Sequence, residues 1–362
     1  MIETPPLVDQ YCHGVLRTEL GLGTFEAALV PSAGPAAAGT TLFDTQTGFA
    51  VRRWCPPLLG LEPHCAPAIY LARRRELGVV EAGRRLLRGA GVGSYLVDTG
   101  LPGDLTDPKE LALAGDARTY EVVRLELLAE QAADTSGTVA AFLANLSGAV
   151  HHAAAGAVAF GCGAAAVAAA AGEAEPPGPG EVRGAAGRWL ADRGRGGAVR
   201  DPVLLRHLLW SAVTSGLPVQ LHTGGAGPEP LTGFVRATAG LGARLVLLGT
   251  YPHHRQAARL AAAHPHVYAD LGPDPARTGA RAAAVLAELL ELAPFGKLLF
   301  SSGGRALPEL HAVGALVFRE ALGRVLGGWA ADGSWSRRDA DRVAGMLAAG
   351  NARRLYRLDE RG

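Results

Sequence analysis

Four short stretches concentrate the residues that could do chemistry. LVDQYCHGV, residues 7–15, is an apolar run ending in a carboxylate, a phenol, a thiol and an imidazole: Asp9, Tyr11, Cys12 and His13. LPVQLHTG ends a second run in His222. LLGTYPHHRQA carries Tyr251, His253, His254 and Arg255 at the entry to a helix, and KLLFSSGGRALPELHAVGAL ends in small residues before Arg305, Glu309 and His311. An imidazole at the end of a buried run can ligate a divalent metal or move a proton near neutral pH. A lone histidine more often satisfies the core or faces solvent, and a solvated helix start explains residues 251–255 equally well. Period-two alternation puts Tyr11 and His13 on one face and turns Cys12 away from it. Cys162 is turned from Gly161 in the same way, which argues against a thiol-based site. Glu126, in EVVRLEL, reads first as a structural partner for Arg124 or a loop amide, with a place in a polar pocket as the alternative. His64, Cys65 and Cys55 have no recognised ligand spacing, and His151 and His152 belong to an Ala-rich helix.

The elements that must position these groups follow from eight short apolar runs. They are Leu7–His13, Ser94–Thr99, Glu121–Leu127, Ala155–Gly161, Pro218–His222, Ala243–Gly249, His266–Leu271 and Lys297–Ser302. Amphipathic stretches such as Pro202–Ser215, Arg255–Ala263 and Ala280–Leu292 lie between them. Strands alternating with helices imply a parallel sheet. Eight such units predict an α/β chain of the (β/α)₈ TIM-barrel type, with its chemistry at the carboxyl ends of the strands. About eighty residues separate the first run from the second, far more than one crossover helix needs. That gap predicts a long helical insertion or lid over residues 20–90, supplied by Phe43–Leu59 and Leu61–Gly78, within one barrel domain spanning 1–362. EAEPPGPG, residues 173–180, reads as a surface loop after the fourth strand.

Bulk composition mainly excludes. The chain has 362 residues, a formal net charge of +1 and 19% charged residues, so nothing points to nucleic acid or an anionic membrane surface. Residues 147–172 carry no charge but are mostly Ala and Gly, too weakly apolar to insert in a bilayer. MIETPPLVDQ has neither a basic nor an apolar leader region, which predicts no signal peptide. Four scattered cysteines without a CxxC pair read as cytoplasmic thiols. Exposed apolar helix faces would support a homodimer, with no interface located.

Taken in order, VDQYCHG, RLELLAE, QLHTG, LLGTYPHHRQA, VYADLG, KLLFSSGG, LPELHAVGALVFREAL and GNARRLY resemble the amidohydrolase-related (amidohydrolase 2) family of the metal-dependent hydrolase superfamily. The branch they resemble stands alone or fused to glutamine-synthetase-like domains. The resemblance covers nearly the whole chain. It implies a metal site with a His-x-His pair on the first strand and a lysine or acidic ligand on the fourth. Histidines on the fifth and sixth and an aspartate on the eighth complete it. Carried over, His13 and His222 match. Tyr11 stands at the first histidine, Gly161 at the lysine, Gly249 at the sixth-strand histidine and Gly303 at the aspartate. Two imidazoles without a carboxylate cannot grip a divalent ion well enough to activate water, and Gly303 cannot act as the general base. The expectation is a barrel that has lost its hydrolytic site and needs no cofactor. It would keep a pocket lined by Tyr11, Glu126, His222, Tyr251, His253 and Arg305 for a small-molecule ligand. The alternative is an active hydrolase of a C–N or related bond in a small carboxylated substrate. It would use one zinc or manganese on His13, His222 and an unidentified further ligand, such as His253 or His254.

Overall fold

Eight parallel strands form one sheet whose spatial order follows the sequence, β1 to β8. They are β1 (Leu7–Cys12), β2 (Val92–Asp98), β3 (Arg118–Arg124), β4 (Ala159–Cys162), β5 (Val219–His222), β6 (Leu245–Leu248), β7 (Val267–Asp270) and β8 (Leu298–Leu299). This computed structural model describes residues 2–30, 34, 36–194, 196–272 and 275–360. The eight runs read from the sequence are these strands, and the fold is the (β/α)₈ barrel. Such strands read as continuous apolar runs because helices cover a parallel sheet on its faces.

Three boundaries differ in ways that matter for the site. β3 stops at Arg124, and Leu125–Asp134 is already a helix, so Glu126 sits in a first helical turn rather than on a strand. Ala155 and Gly156 close the preceding helix, Val139–Gly156, and do not begin β4. β8 is two residues long, but the segment after it stays hydrogen-bonded to β1 and the residues that follow it. There Gln10 N–H donates to Phe300 (3.1 Å), Gly303 N–H to Tyr11 (3.1 Å) and His13 N–H to Gly304 (2.8 Å). Small residues in SSGG let the backbone do this without a regular strand.

The chain falls into two compact units. One comprises Met1–Tyr120, Leu271–Glu291 and Leu298–Arg353; the other comprises Glu121–Asp270, Leu292–Lys297 and Arg354–Gly362. In the first unit, β1 pairs with β2 through Leu7↔Val92, Val8↔Ser94 and Cys12↔Val97, with a register irregularity between Asp9 and Cys12. The long insertion is helical here: α1 (Leu22–Leu29), α2 (Gln46–Leu58) and α3 (Pro67–Gly89). Thr45 caps α2 by accepting from Gly48 N–H at 3.0 Å, which satisfies one of the orphan donors of a helix start. Phe25 of α1 stacks on Phe43, with ring centroids 5.6 Å apart. Arg74 of α3 is buried at 2% exposure and donates from Nε to Glu309 Oε1 at 2.8 Å and from Nη1 to Glu19 at 2.8 Å. The Tyr70 hydroxyl donates to the same Glu309 oxygen at 2.8 Å. Glu309 lies in the first turn of the helix Pro308–Ala331, so α3 is anchored on that helix by a buried charge pair. Removing one partner of such a pair destabilises by about 3–5 kcal/mol.

In the second unit, β4 to β7 run in register through Phe160↔Val219, Leu221↔Leu247 and Leu247↔Ala269. Asp201 caps the helix Pro202–Thr214 by accepting from the backbone N–H groups of Val203 and Leu204. His151 and His152 lie exposed on their helix, as the Ala-rich pattern suggested. Among the described residues, no helix is long and apolar enough to cross a membrane.

Candidate functional site

At the carboxyl end of β1, Tyr11 and His13 do share a face. His13 is 3% exposed, and both of its ring nitrogens are engaged. Nδ1 lies 2.9 Å from the backbone carbonyl of Asp98, which can only accept, so Nδ1 carries the hydrogen. Nε2 must then accept, and the Tyr11 hydroxyl donates to it at 3.0 Å. The two rings meet edge-on with centroids 5.1 Å apart. This phenol–imidazole pair can pass or hold a proton. For Nε2 to bind a metal, the Tyr11 hydroxyl must first give up its contact.

Beside this pair lies a second cluster that sequence reasoning did not assemble. Among the described residues, the ligand atoms of Asp9, Cys12 and His311 lie within 4.8 Å of one another, and all three residues are buried. Asp9 accepts from Ser302 N–H at 2.9 Å and from the Ser302 hydroxyl. Burial pushes its carboxyl up to about 7 against the lowering effect of those Ser302 bonds. The Cys12 thiol points to the Leu96 carbonyl at 3.6 Å, and burial holds it well above the ordinary thiol range. His311 is 0% exposed, with neither ring nitrogen at hydrogen-bond geometry to a partner. Burial first, then the nearby His13, lowers its imidazole to about 3, with only the His13 backbone favouring a charged ring. Gly304 makes room for this ring: a Cβ there would meet His311 Cδ2 and Cγ at 2.6 Å. Tyr95 packs edge-on against His311, with centroids 5.8 Å apart, and its buried hydroxyl also lacks a partner. The sequence signal for this cluster was limited to residue types. Asp9 and His311 stand about three hundred positions apart, and only the passage of helix Pro308–Ala331 beside β1 joins them.

The other sequence-derived candidates in the first unit are Arg305 and Gly303. Arg305 is exposed. Gly303 adopts φ +58°, the left-handed region that side-chain-bearing residues enter at a cost.

In the second unit His222 ends β5 half-buried. Its ring fills the space beside Gly249, where a Cβ would approach Cε1 to 2.9 Å and Nδ1 to 3.1 Å. Gly249 itself has φ +61°. Its carbonyl accepts from the Thr223 hydroxyl at 2.8 Å and from Gly225 N–H at 2.9 Å. Gly161 is paired within the sheet between Arg124 and Gln220. Glu126 Oε1 accepts from Gly163 N–H at 2.6 Å, the loop-amide role read from the sequence. Tyr251 and His253 are half-buried, and Tyr251 stacks on the buried His254 with centroids 5.5 Å apart. The structure thus brings Tyr11 to His13, and His222 to Gly249. It leaves Arg305 in solvent.

No protein-family profile matches the chain. Protein fluG of Emericella nidulans is 34% identical over 119 residues, a match covering 32% of this chain. The matched part spans 14% of that protein's length. Over whole folds, the chain is similar to a candidate metal-dependent hydrolase of Lactobacillus casei ATCC 334, with a TM-score of 0.81 and 21% identity, covering 99% of this chain and 97% of that one. It is also similar to a glucuronate isomerase of Caulobacter crescentus, with a TM-score of 0.65 and 12% identity over 99% and 92% of the two chains. A uronate isomerase of Thermotoga maritima gives 0.62 and 14% over 97% and 94%. The barrel implied by the resemblance in the sequence is the barrel these proteins share.

Proposed function

We propose that this chain is an amidohydrolase-related barrel protein that no longer assembles the hydrolytic metal centre at its strand ends. In this reading it serves instead to bind, or to transform without hydrolysis, a small carboxylated molecule. The observation that carries the reading is the occupied imidazole of His13. Its one remaining lone pair already accepts from the Tyr11 hydroxyl at 3.0 Å, where the family pattern has a second metal-binding histidine. The residues present do not fit the metal the resemblance implies. Gly161, Gly249 and Gly303 offer no donor atoms, and a catalytic zinc normally takes three protein ligands and a water. The backbone supports the same conclusion. A histidine at position 249 would have to adopt φ +61° and displace the His222 ring. An aspartate at 303 would adopt φ +58°. Each such conformation costs a side-chain-bearing residue about 1 kcal/mol or more. Reversion therefore requires backbone rearrangement as well as new side chains.

What remains at these strand ends is chemistry for recognition and proton placement. On releasing His13, the Tyr11 hydroxyl can donate to a bound carboxylate; in the other unit, His222, Tyr251 and His253 are polar groups at or after strand ends. The named isomerases on the same barrel support the view that this fold is not tied to hydrolysis, and fold alone does not fix reaction type.

The test is metal content and hydrolysis in wild type, His13→Ala and His222→Ala, purified without chelator. The expected result is the same metal content in all three and no metal-stimulated hydrolysis of small carboxylated amides. Loss of an equivalent of zinc or manganese in both variants, together with a hydrolytic activity, would overturn the reading and establish the active-hydrolase alternative.

A further inference from the structure

We propose that Asp9, Cys12 and His311 form a buried zinc site, separate from the strand-end positions of the hydrolase family, that pins β1 to the helix Pro308–Ala331. Three observations converge on it. The three ligand atoms lie within 4.8 Å of one another in a fully buried setting. His311 is completely buried with neither ring nitrogen hydrogen-bonded, a condition that buried polar groups rarely tolerate without a partner, water or ion. Ser302 holds the Asp9 carboxylate through both its backbone N–H and its hydroxyl, the outer-shell support that orients metal ligands.

The donor chemistry selects zinc. A thiolate, an imidazole and a carboxylate are all ordinary zinc ligands, whereas calcium and magnesium favour oxygen alone. Zn–S of about 2.3 Å and Zn–N or Zn–O of about 2.0–2.1 Å place tetrahedral donors about 3.3–3.6 Å apart. The ligand atoms, within 4.8 Å of one another, have to draw together to that spacing around the ion. Charge also balances: the Cys12 thiolate and the Asp9 carboxylate carry two negative charges against the ion's two positive ones. Binding displaces the thiol proton, and the carboxyl proton where one is present, to solvent. The fourth position falls to a water. Because nothing here is open to solvent, the ion enters as the chain folds, and its role is to brace the elements that carry Tyr11, His13 and Gly303.

The test uses the full chain expressed with zinc in the medium and purified without chelator. Elemental analysis is expected to find about one zinc per chain that survives dialysis. Cys12→Ser and His311→Gln are each expected to lower it at least tenfold, while the double variant His13→Ala with His222→Ala keeps it. A wild type without tightly held zinc, or zinc undiminished in Cys12→Ser and His311→Gln, overturns the proposal. Zinc lost from the His13/His222 variant but kept in the other two overturns the functional reading above as well as this one. Cobalt(II) refolded into wild type gives an answer that does not depend on variants folding. A near-ultraviolet thiolate-to-cobalt charge-transfer band is expected, and its absence counts against the site.

Discussion

Two buried histidines in one unit, His13 and His311, have opposite fates. His13 has both nitrogens engaged, one on the Asp98 carbonyl and one by the Tyr11 hydroxyl. His311, on a helix packed beside the same strand, engages neither. The contrast teaches that residue identity does not mark a working site. The histidine that the sequence resemblance places at a metal-ligand position has both nitrogens engaged, and the one it does not single out has neither.

The largest effect tests the partnered side of that contrast. Glu309→Ala strips a buried Arg74 of its inner carboxylate and is expected to destabilise by about 3 kcal/mol in urea unfolding. That is the low end for a broken buried pair, because Glu19 still holds Arg74. Retention of full stability would mean that α3 is not anchored through this pair. Tyr11→Phe leaves the His13 Nε2 without its donor, and a loss of about 1–2 kcal/mol is expected. A neutral result there would show that the hydroxyl is not committed to His13.

His311→Leu should go the other way in chelator-treated protein. Replacing an unpartnered buried polar ring with an apolar side chain of similar size is expected to stabilise by about 1 kcal/mol at pH 8. The pH dependence sharpens it. A histidine lowered from 6.5 to about 3 on folding binds its proton far more readily in the unfolded chain. Its presence therefore costs stability progressively as pH falls below about 6.5. The gap in favour of His311→Leu should widen by about another 1 kcal/mol at pH 5.5. Asp9, raised from 3.8 to about 7, has the opposite sign and gains stability as pH falls through that window, so the Asp9→Asn background isolates the His311 effect. In zinc-loaded protein the variant is instead expected to be the less stable of the two. The smallest effect belongs to the exposed Arg305: Arg305→Ala should change stability by less than about 0.5 kcal/mol. Any larger change in ligand binding would then report a direct contact.

Much of the architecture was legible before any coordinates. The eight apolar runs, the long helical insertion and the loop-amide role of Glu126 follow from periodicity, spacing and residue chemistry, which act over a few neighbouring positions. Tyr11, Gly161, Gly249 and Gly303 are visible as letters, at positions where the resemblance in the sequence implies metal ligands. Boundaries were less legible. Glu126 and Ala155–Gly156 lie where a strand and a helix meet, and the apolar pattern runs through both without a break.

The amino-acid series by itself determined that this chain folds as a barrel and that glycine stands at positions 161, 249 and 303. Both are properties of local pattern and composition. Only the tertiary structure decided which nitrogens are occupied, that Gly249 and Gly303 sit in the left-handed backbone region, and that Asp9, Cys12 and His311 converge. Hydrogen bonding, steric exclusion and ligand geometry depend on distances of a few ångströms between residues hundreds of positions apart, and the packing of one helix against one strand sets those distances.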